Sequence, residues 1–258
     1  MPDLFLELRE SDDSAGAAPP PPLSDADALV LLRESEIVAS RLIPWGSNYS
    51  FAVALEALDG RDQLAIYKPR NGEAPLYDFP DGTLYLRETA AYLLGKLLGW
   101  DFVPPTIVRS GPHGIGSLQL YVYPEAESAA SQQYWQGCAP EIERVVLFDH
   151  IANNADRKIG HCLRDHLGRV WGIDHGLTFN QVPKMRTVLW QYVGQPISPT
   201  FLDDVVDLRR REPEVRAALR EYLNRAEVDA LFARTDRLIE TGHYPLLNAR
   251  RNIPYGWW

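Results

Sequence analysis

Residues 148–163 read FDHIANNADRKIGHCL, and shortly afterwards residues 170–179 read VWGIDHGLTF. In the first stretch an apolar helical pattern ends in a polar loop that carries Asp156. In the second an apolar strand ends at Asp174, eighteen residues after Asp156. Because each carboxylate follows the end of a regular element, we expect two adjacent loops that bring them together. A capped helix end and a strand-end turn would explain either stretch alone.

Three more residues in these loops suit phosphate and metal chemistry. Lys158, two positions after Asp156, can neutralise a phosphoryl group during transfer. His161, five positions after Asp156, points to a second metal position, and Gly176 permits the chain to turn out of the site. In this interpretation Asp156 orients an acceptor hydroxyl, while Asp174 binds a metal ion that bridges phosphate groups.

The upstream sequence supplies candidates for phosphate binding. Gly46, Ser47 and Asn48 form a turn between the first two predicted strands, where small residues let backbone N–H groups approach phosphate oxygens. Lys68 ends an apolar strand, and Glu88 lies near the start of the next helix, so Glu88 can hold the lysine toward phosphates. The alternatives are a plain hairpin turn, a solvent-exposed lysine and an acidic residue favoured by the helix dipole.

The order of the predicted elements indicates an α+β, two-lobed, kinase-like fold. Its first lobe is a small antiparallel five-stranded sheet with one helix, and its second lobe is mostly helical. The predicted strands lie at residues 36–43, 49–58, 63–70, 106–110, 116–124 and 169–176, with a hairpin turn at Asp59–Gly60. The predicted helices lie at residues 26–35, 84–98, 142–154 and within 200–242. We expect a flexible lead-in at 1–23, an N-lobe at 24–124 and a C-lobe at 125–258.

Composition narrows the possible functions. The net charge of −9 argues against nucleic-acid binding through general basicity, although the run Arg209–Arg211 is either a solvated helix face or a local basic patch. The first ten residues lack the basic region of a signal peptide, and no apolar run reaches the ~18 residues of a membrane span. Cys138 and Cys162 form no CxxC motif. We therefore expect a cytoplasmic protein with reduced cysteines and no transmembrane segment.

The motifs together resemble the phosphatidylinositol 3-/4-kinase-like superfamily, particularly its bacterial members and the type II phosphatidylinositol 4-kinases. They are similar also to the Golgi secretory-pathway kinases and the HipA-type toxin kinases. The matching stretches, within residues 37–180, are WGSNYSF, YKPR, RETAAYLLGKLLGWDFVPPT, LFDHIANNADRK and WGIDHG. The resemblance implies ATP bound between the lobes, Lys68 on phosphate with Glu88 as its partner, a catalytic Asp156, and Asp174 on Mg²⁺.

The resemblance also implies that adenine contacts the connector around Tyr121, Val122 and Tyr123. One departure is His161, which stands where the family's metal-binding loop usually carries Asn. Because Mn²⁺ accepts imidazole better than Mg²⁺ does, we expect a Mn²⁺ preference and binding that weakens below about pH 6.5. The alternative is that His161 only hydrogen-bonds within the loop.

We therefore expect a kinase that uses ATP with Mg²⁺ or Mn²⁺ and phosphorylates a hydroxyl of a lipid, a protein or a small molecule. A pseudokinase that serves as a nucleotide-binding regulator and an enzyme that transfers AMP are the alternatives. The motifs do not distinguish among the three acceptor classes.

Overall fold

The computed structural model describes residues 21–44, 46–56, 63–125, 135 and 139–255. The strands are β1 (Ile37–Leu42), β2 (Phe51–Leu55), β3 (Gln63–Pro69), β4 (Thr106–Gly111), β5 (Gly114–Leu120), β6 (Cys162–Arg164) and β7 (Val170–Gly172). The α-helices are α1 (Asp25–Glu34), α2 (Leu84–Leu97), α3 (Ala139–Ala152), α4 (Pro199–Arg210), α5 (Glu212–Leu219) and α6 (Arg225–Thr241). None of the helices in these ranges has both the length and the hydropathy needed to cross a membrane.

Five strands form one antiparallel sheet in the order β1-β2-β3-β5-β4. Successive side chains on a strand point to opposite faces, so Tyr67 and Lys68 of β3 face different sides. On the face of Tyr67, a buried cluster joins the sheet to Leu32 of α1. Lys68 therefore projects from the opposite face of the sheet.

The helices after residue 139 share a second and larger apolar core with α2. Val145 and Phe148 of α3, Leu208 of α4 and Leu231 of α6 are completely buried in it. Helix α6 begins at a capping box, in which Asn224 and Glu227 each accept a hydrogen bond from the other's backbone N–H. The five-stranded antiparallel sheet, accompanied by α1 and α2 and followed by a mostly helical half, confirms the predicted fold class.

Helix α2 is anchored to the helical half by its side chains. The buried Arg87 pairs with Glu227 of α6, and Arg87 Nη1 donates a hydrogen bond of 2.8 Å to the carbonyl of Thr178. At the other end of the helix, Trp100 Nε1 donates to Asp204 Oδ2 over 2.7 Å. These contacts fix the helix that carries Glu88.

Several element boundaries differ from the sequence predictions. Helix α3 ends at Ala152 rather than residue 154, because Asn153 adopts a left-handed conformation with φ 54°. Strand β5 ends at Leu120, four residues early, and β7 is a three-residue strand paired with β6, which was not predicted. The predicted Asp59–Gly60 turn, Cys138, residues 1–20 of the lead-in and residues 256–258 lie outside the described residues.

The basic run at the end of α4 is matched by carboxylates. Arg209 Nε lies 2.5 Å from Asp236 Oδ1, and Arg210 Nη1 lies 2.9 Å from Asp207 Oδ1. Arg211 Nη1 lies 3.5 Å from Glu214 Oε1. The pairing favours the interpretation of a solvated helix face over a basic patch.

Candidate active site

Three separate elements converge on the ammonium group of Lys68. Its Nζ lies 2.5 Å from Glu88 Oε1 on α2 and 2.8 Å from Asp174 Oδ1 in the loop after β7. The second oxygen of Glu88 accepts a hydrogen bond of 2.9 Å from the backbone N–H of His175. Since Glu88 is buried and bonded on both oxygens, it holds the lysine and the loop of Asp174 in one arrangement.

The charges of this cluster stabilise one another. Burial alone would lower the pKa of Lys68, but the carboxylates of Asp174 and Glu88 outweigh it and raise that pKa above its usual value. Burial likewise opposes the charged form of Asp174, yet the Lys68 ammonium holds the pKa of that carboxyl well below its usual range. The cluster is therefore one cation with two anions.

Asp174 lies two residues after the end of β7. It adopts a left-handed backbone with φ 60°, which is uncommon for a residue other than glycine, whereas Gly176 has no positive φ. The chain turns at Gly176 and Leu177, as the sequence predicts for Gly176, and it does so without a positive φ at the glycine. The Asp174 side chain is 46% exposed, so one carboxylate of the cluster is accessible to a ligand from solvent.

His161 lies beside Asp174, with its Nε2 3.2 Å from Asp174 Oδ2. Its Nδ1 faces the backbone N–H of Lys158 at a long 3.5 Å, which favours the tautomer with the proton on Nε2. Burial lowers the pKa of His161 to about 4. The neutral imidazole therefore persists well below pH 6.5, whereas metal binding by His161 stays a prediction.

The loop between α3 and β6 carries Asp156 and Lys158 as a pair. Lys158 Nζ lies 3.0 Å from Asp156 Oδ2, and the backbone N–H of Asp156 donates to Asn154 Oδ1 over 2.9 Å. Burial raises the pKa of Asp156, although the neighbouring Lys158 partly opposes this. The Asp156 carboxylate is 21% exposed and can accept a hydrogen bond from a bound hydroxyl.

The turn between β1 and β2 is fastened to the segment that follows β3. Asn48 Oδ1 accepts a hydrogen bond of 2.7 Å from the backbone N–H of Ala74, and Tyr49 donates from its backbone to Gly72 over 2.9 Å. Gly46 has φ 111°, a conformation that other residues rarely adopt. Ser47 and Gly46 are exposed. The side-chain oxygen of Asn48 is thus committed to Ala74, whereas the exposed hydroxyl of Ser47 can donate to a phosphate.

The connector after β5 lines a cavity. Tyr121, Val122 and Tyr123 line a cavity of about 280 Å³. Other parts of its wall come from the start of α1, from Pro104 and Pro105, and from the β6–β7 turn. Among the described residues, Lys68 and Asp174 do not line this cavity. The contact of the connector with adenine therefore stays a prediction.

The donor set fits a metal ion that arrives with a nucleotide. The described ranges contain no cluster of three or more His, Cys, Asp or Glu side chains that would hold a metal ion alone. Mg²⁺ usually binds through one or two carboxylates together with substrate phosphates rather than in an all-protein cage. Asp174 supplies such an exposed carboxylate, so Asp174 is the residue that would hold the ion, with His161 beside it.

A buried polar network behind the two loops was missed by the sequence interpretation. The guanidinium of Arg157, completely buried, binds both oxygens of Asp149 and approaches His175 Nε2 to 2.9 Å. Asn154 Nδ2 also donates to Asp149 Oδ1 over 2.9 Å. Burial lowers the pKa of His175, and nearby Arg157 acts in the same direction. An arginine directly after a candidate catalytic aspartate was the one available signal.

Comparison with solved structures agrees with this architecture. A hydra Fam20 structure with sugar superposes with a TM-score of 0.53 at 14% identity, covering 85% of this chain and 90% of that chain. A Golgi casein kinase with Mn/ADP bound gives a TM-score of 0.53 at 15% identity, over 84% and 74% of the two chains. The Helicobacter pylori proinflammatory kinase CtkA gives 0.50 at 10% identity, over 81% and 93%. At these identities the likeness establishes a protein-kinase-like fold.

Sequence comparison adds a nearer relative. No protein-family model matches the chain. Protein Rv2133c of Mycobacterium tuberculosis (strain ATCC 25618 / H37Rv) is 35% identical over 264 residues, which cover 89% of this chain and 95% of that protein. The chain belongs to the same family as Rv2133c.

Proposed function

We propose that this protein is an ATP- and metal-dependent phosphotransferase of the phosphatidylinositol 3-/4-kinase-like type, which phosphorylates a hydroxyl group. The observation that carries the proposal is the position of Lys68 between Glu88 and Asp174, 2.5 and 2.8 Å from their carboxylates. Phosphoryl transfer needs a lysine held by one carboxylate beside a second that binds metal. We also propose that the lobes meet near residue 124, with nucleotide between them.

Each charged residue then has a role in binding or proton transfer. Lys68 binds the phosphates of ATP, and Glu88 orients it. Asp156 accepts the proton of the acceptor hydroxyl. The hydroxyl oxygen then bonds to the γ-phosphorus, while the bond between the γ-phosphorus and the bridging oxygen breaks and ADP leaves. Lys158, 3.0 Å from Asp156, balances the charge on the transferring group. The raised pKa of Asp156 suits a proton acceptor, since general bases work best near the ambient pH.

The remaining predicted residues have supporting roles in this proposal. A metal ion held by Asp174 would neutralise phosphate charge when bound. His161 lies next to it, either as a further ligand or as a hydrogen-bond donor that orients the Asp174 carboxylate. Gly46 and Ser47 offer backbone and hydroxyl donors to phosphate, and the connector at residues 121–123 offers backbone groups to adenine on the side of the sheet that bears Lys68.

Two assays test the proposal without knowledge of the acceptor. Purified protein is incubated with ATP and either Mg²⁺ or Mn²⁺, and ADP formation is measured against the Asp156→Asn variant. In parallel, a cell extract is incubated with ATP-γ-S and each protein, and thiophosphorylated species are identified. We expect both signals in the wild type and neither in the variant. Wild-type signals equal to those of Asp156→Asn with both metals would contradict the proposal.

A nucleotide-binding regulator without turnover is the second candidate. The contact between His161 Nε2 and Asp174 Oδ2 favours it, because a proton on Nε2 prevents that nitrogen from binding metal. Such a protein would bind Mn·ADP and still form no ADP from ATP. Intact mass after incubation also separates an AMP transferase, since an adenylyl group would be added in place of a phosphoryl group.

A further inference from the structure

The side chain of Arg157 joins the two loops that carry Asp156 and Asp174. Its Nη1 donates to the carbonyl of His161 over 3.0 Å and to the carbonyl of Ile173 over 3.1 Å. Its Nε and Nη2 donate to Asp149 on α3 over 2.7 and 3.0 Å. With His175 as the last partner, all five N–H donors of the guanidinium are used.

The contact with His175 fixes the chemistry of its ring. A guanidinium offers only donors, so His175 Nε2, 2.9 Å away, must accept. The ring is therefore neutral, with its proton on Nδ1, and Nδ1 has no hydrogen-bond partner among the described residues. The ring packs edge-to-face on Phe148 and Phe102, with centroids 5.4 and 6.4 Å away.

An aromatic hydrocarbon would suit this apolar surrounding better than an imidazole. A buried N–H without a partner is unfavourable, and phenylalanine in this place would avoid it. The imidazole differs from a phenyl ring chiefly in its acceptor nitrogen, which is directed at Arg157. The acceptor nitrogen is therefore the property of His175 that the surrounding structure uses.

We propose that Arg157 and His175 form a positioning pair that sets the separation of Asp156 and Asp174. Arg157 directly follows Asp156, and His175 directly follows Asp174, so the hydrogen bond between them couples the backbones of the two loops. The N–H of His175 also donates to Glu88, which extends the coupling to Lys68. Both residues of the pair are completely buried, so they act through the two loops rather than on a bound acceptor. The catalytic consequence rests on the proposed phosphotransferase function, whereas the coupling of the loops does not.

The test compares His175→Phe and His175→Gln with a matched control, His150→Phe. His150 is also a buried histidine against an aromatic ring, Tyr244, but it contacts no arginine in the described structure. Glutamine retains a side-chain oxygen that can accept from Arg157. The measurements are ring ¹⁵N shifts of the wild type, amide hydrogen exchange, and kcat and KM for ATP with Mn²⁺.

We expect the wild-type ring shifts to place the His175 proton on Nδ1. His175→Phe should speed exchange in residues 155–162 and 173–178 together and lower kcat by roughly 10- to 100-fold with little change in KM. His175→Gln should recover part of both effects, and His150→Phe should show neither. The ring shifts and the hydrogen exchange are measurable without turnover.

Two results would overturn the proposal that Arg157 and His175 couple the two loops. One is a proton on Nε2 of His175 in the wild type, and the other is a His175→Phe protein that matches His150→Phe in exchange. If the wild type formed no ADP at all, the proposed function would fall, while the ring shifts and exchange would still decide the coupling. If ADP formed normally in His175→Phe with faster exchange, the loops would be coupled but the catalytic role of the pair would be refuted.

Discussion

Replacing Lys68 with methionine tests phosphate binding directly, because the chain length is similar and the ammonium is lost. A hydrogen bond to a charged group contributes about 1.5–3 kcal/mol. If Lys68 makes one such contact to a phosphate of ADP, binding of Mn·ADP should weaken by roughly 10- to 150-fold, since 1.4 kcal/mol is a factor of ten. Titration calorimetry with Mn·ADP measures this change.

The same substitution leaves the Glu88 carboxylate, only 3% exposed, without its cation. Loss of one partner from a buried ion pair costs about 3–5 kcal/mol, and the lower end applies here because Lys68 is 25% exposed and Glu88 keeps its bond from His175. At about 2–4 °C per kcal/mol, a loss of about 3 kcal/mol lowers Tm by about 6–12 °C. Stability and binding must therefore be separated.

The double variant Lys68→Met/Glu88→Gln separates them, because no unpaired charge remains at the two positions. We expect it to recover most of the Tm while Mn·ADP binding stays weak. Lys96→Met is the matched control, since Lys96 pairs with Asp25 and Asp101 at 3.1 and 2.5 Å, away from the cluster. Wild-type Mn·ADP affinity in the folded double variant would refute the assignment of Lys68 to phosphate.

Four further predictions follow from the structure. Asp174→Asn should abolish metal-dependent ADP binding by calorimetry, whereas Asp156→Asn should retain it; equal affinity in the wild type and Asp174→Asn would contradict the assigned roles. His161→Asn should raise Mg²⁺-supported relative to Mn²⁺-supported ADP formation. A metal binds the neutral imidazole, and the pKa of His161 is lowered to about 4. Mn²⁺ binding by the wild type should therefore persist as the pH falls through 6.5 and weaken only toward pH 4. A midpoint near pH 6.5 in metal titrations would contradict this. Arg87→Met should cost about 3–5 kcal/mol in denaturant unfolding and Arg87→Met/Glu227→Met much less, so additive costs would refute the pair.

The sequence was enough to predict the positions of the charged residues that lie near an end of a helix or strand. Lys68 lies near the end of β3, Glu88 in the second turn of α2 and Asp174 two residues after β7, so the predicted order of elements indicated where each would lie. The observed ion pair between Lys68 and Glu88 and the proximity of Asp174 agree with that expectation. Their assigned roles stay predictions.

Sequence patterns could not reveal where side chains are buried by distant partners. Arginine is usually found at the surface, and the burial of Arg157 depends on hydrogen-bond acceptors supplied by α3 and by both loops. The pKa of His161 is likewise set by burial, which its position in a polar loop did not indicate. The cavity lined by the connector depends on where α1 packs on the sheet. The hydrophobic periodicity of the sequence does not determine that position.

The ion pair between Arg87 and Glu227 joins residues 140 positions apart in the chain. A ribosome adds about 5–20 residues per second, so roughly 7–30 s pass between the synthesis of the two residues. During that interval the nascent chain already contains Lys68 and Glu88, but the arginine next to Glu88 has no carboxylate partner from α6. The contact that anchors the helix of Glu88 to α6 can therefore form only after Glu227 has been synthesised, and a chain that stops before α6 should hold Lys68 and Glu88 less firmly.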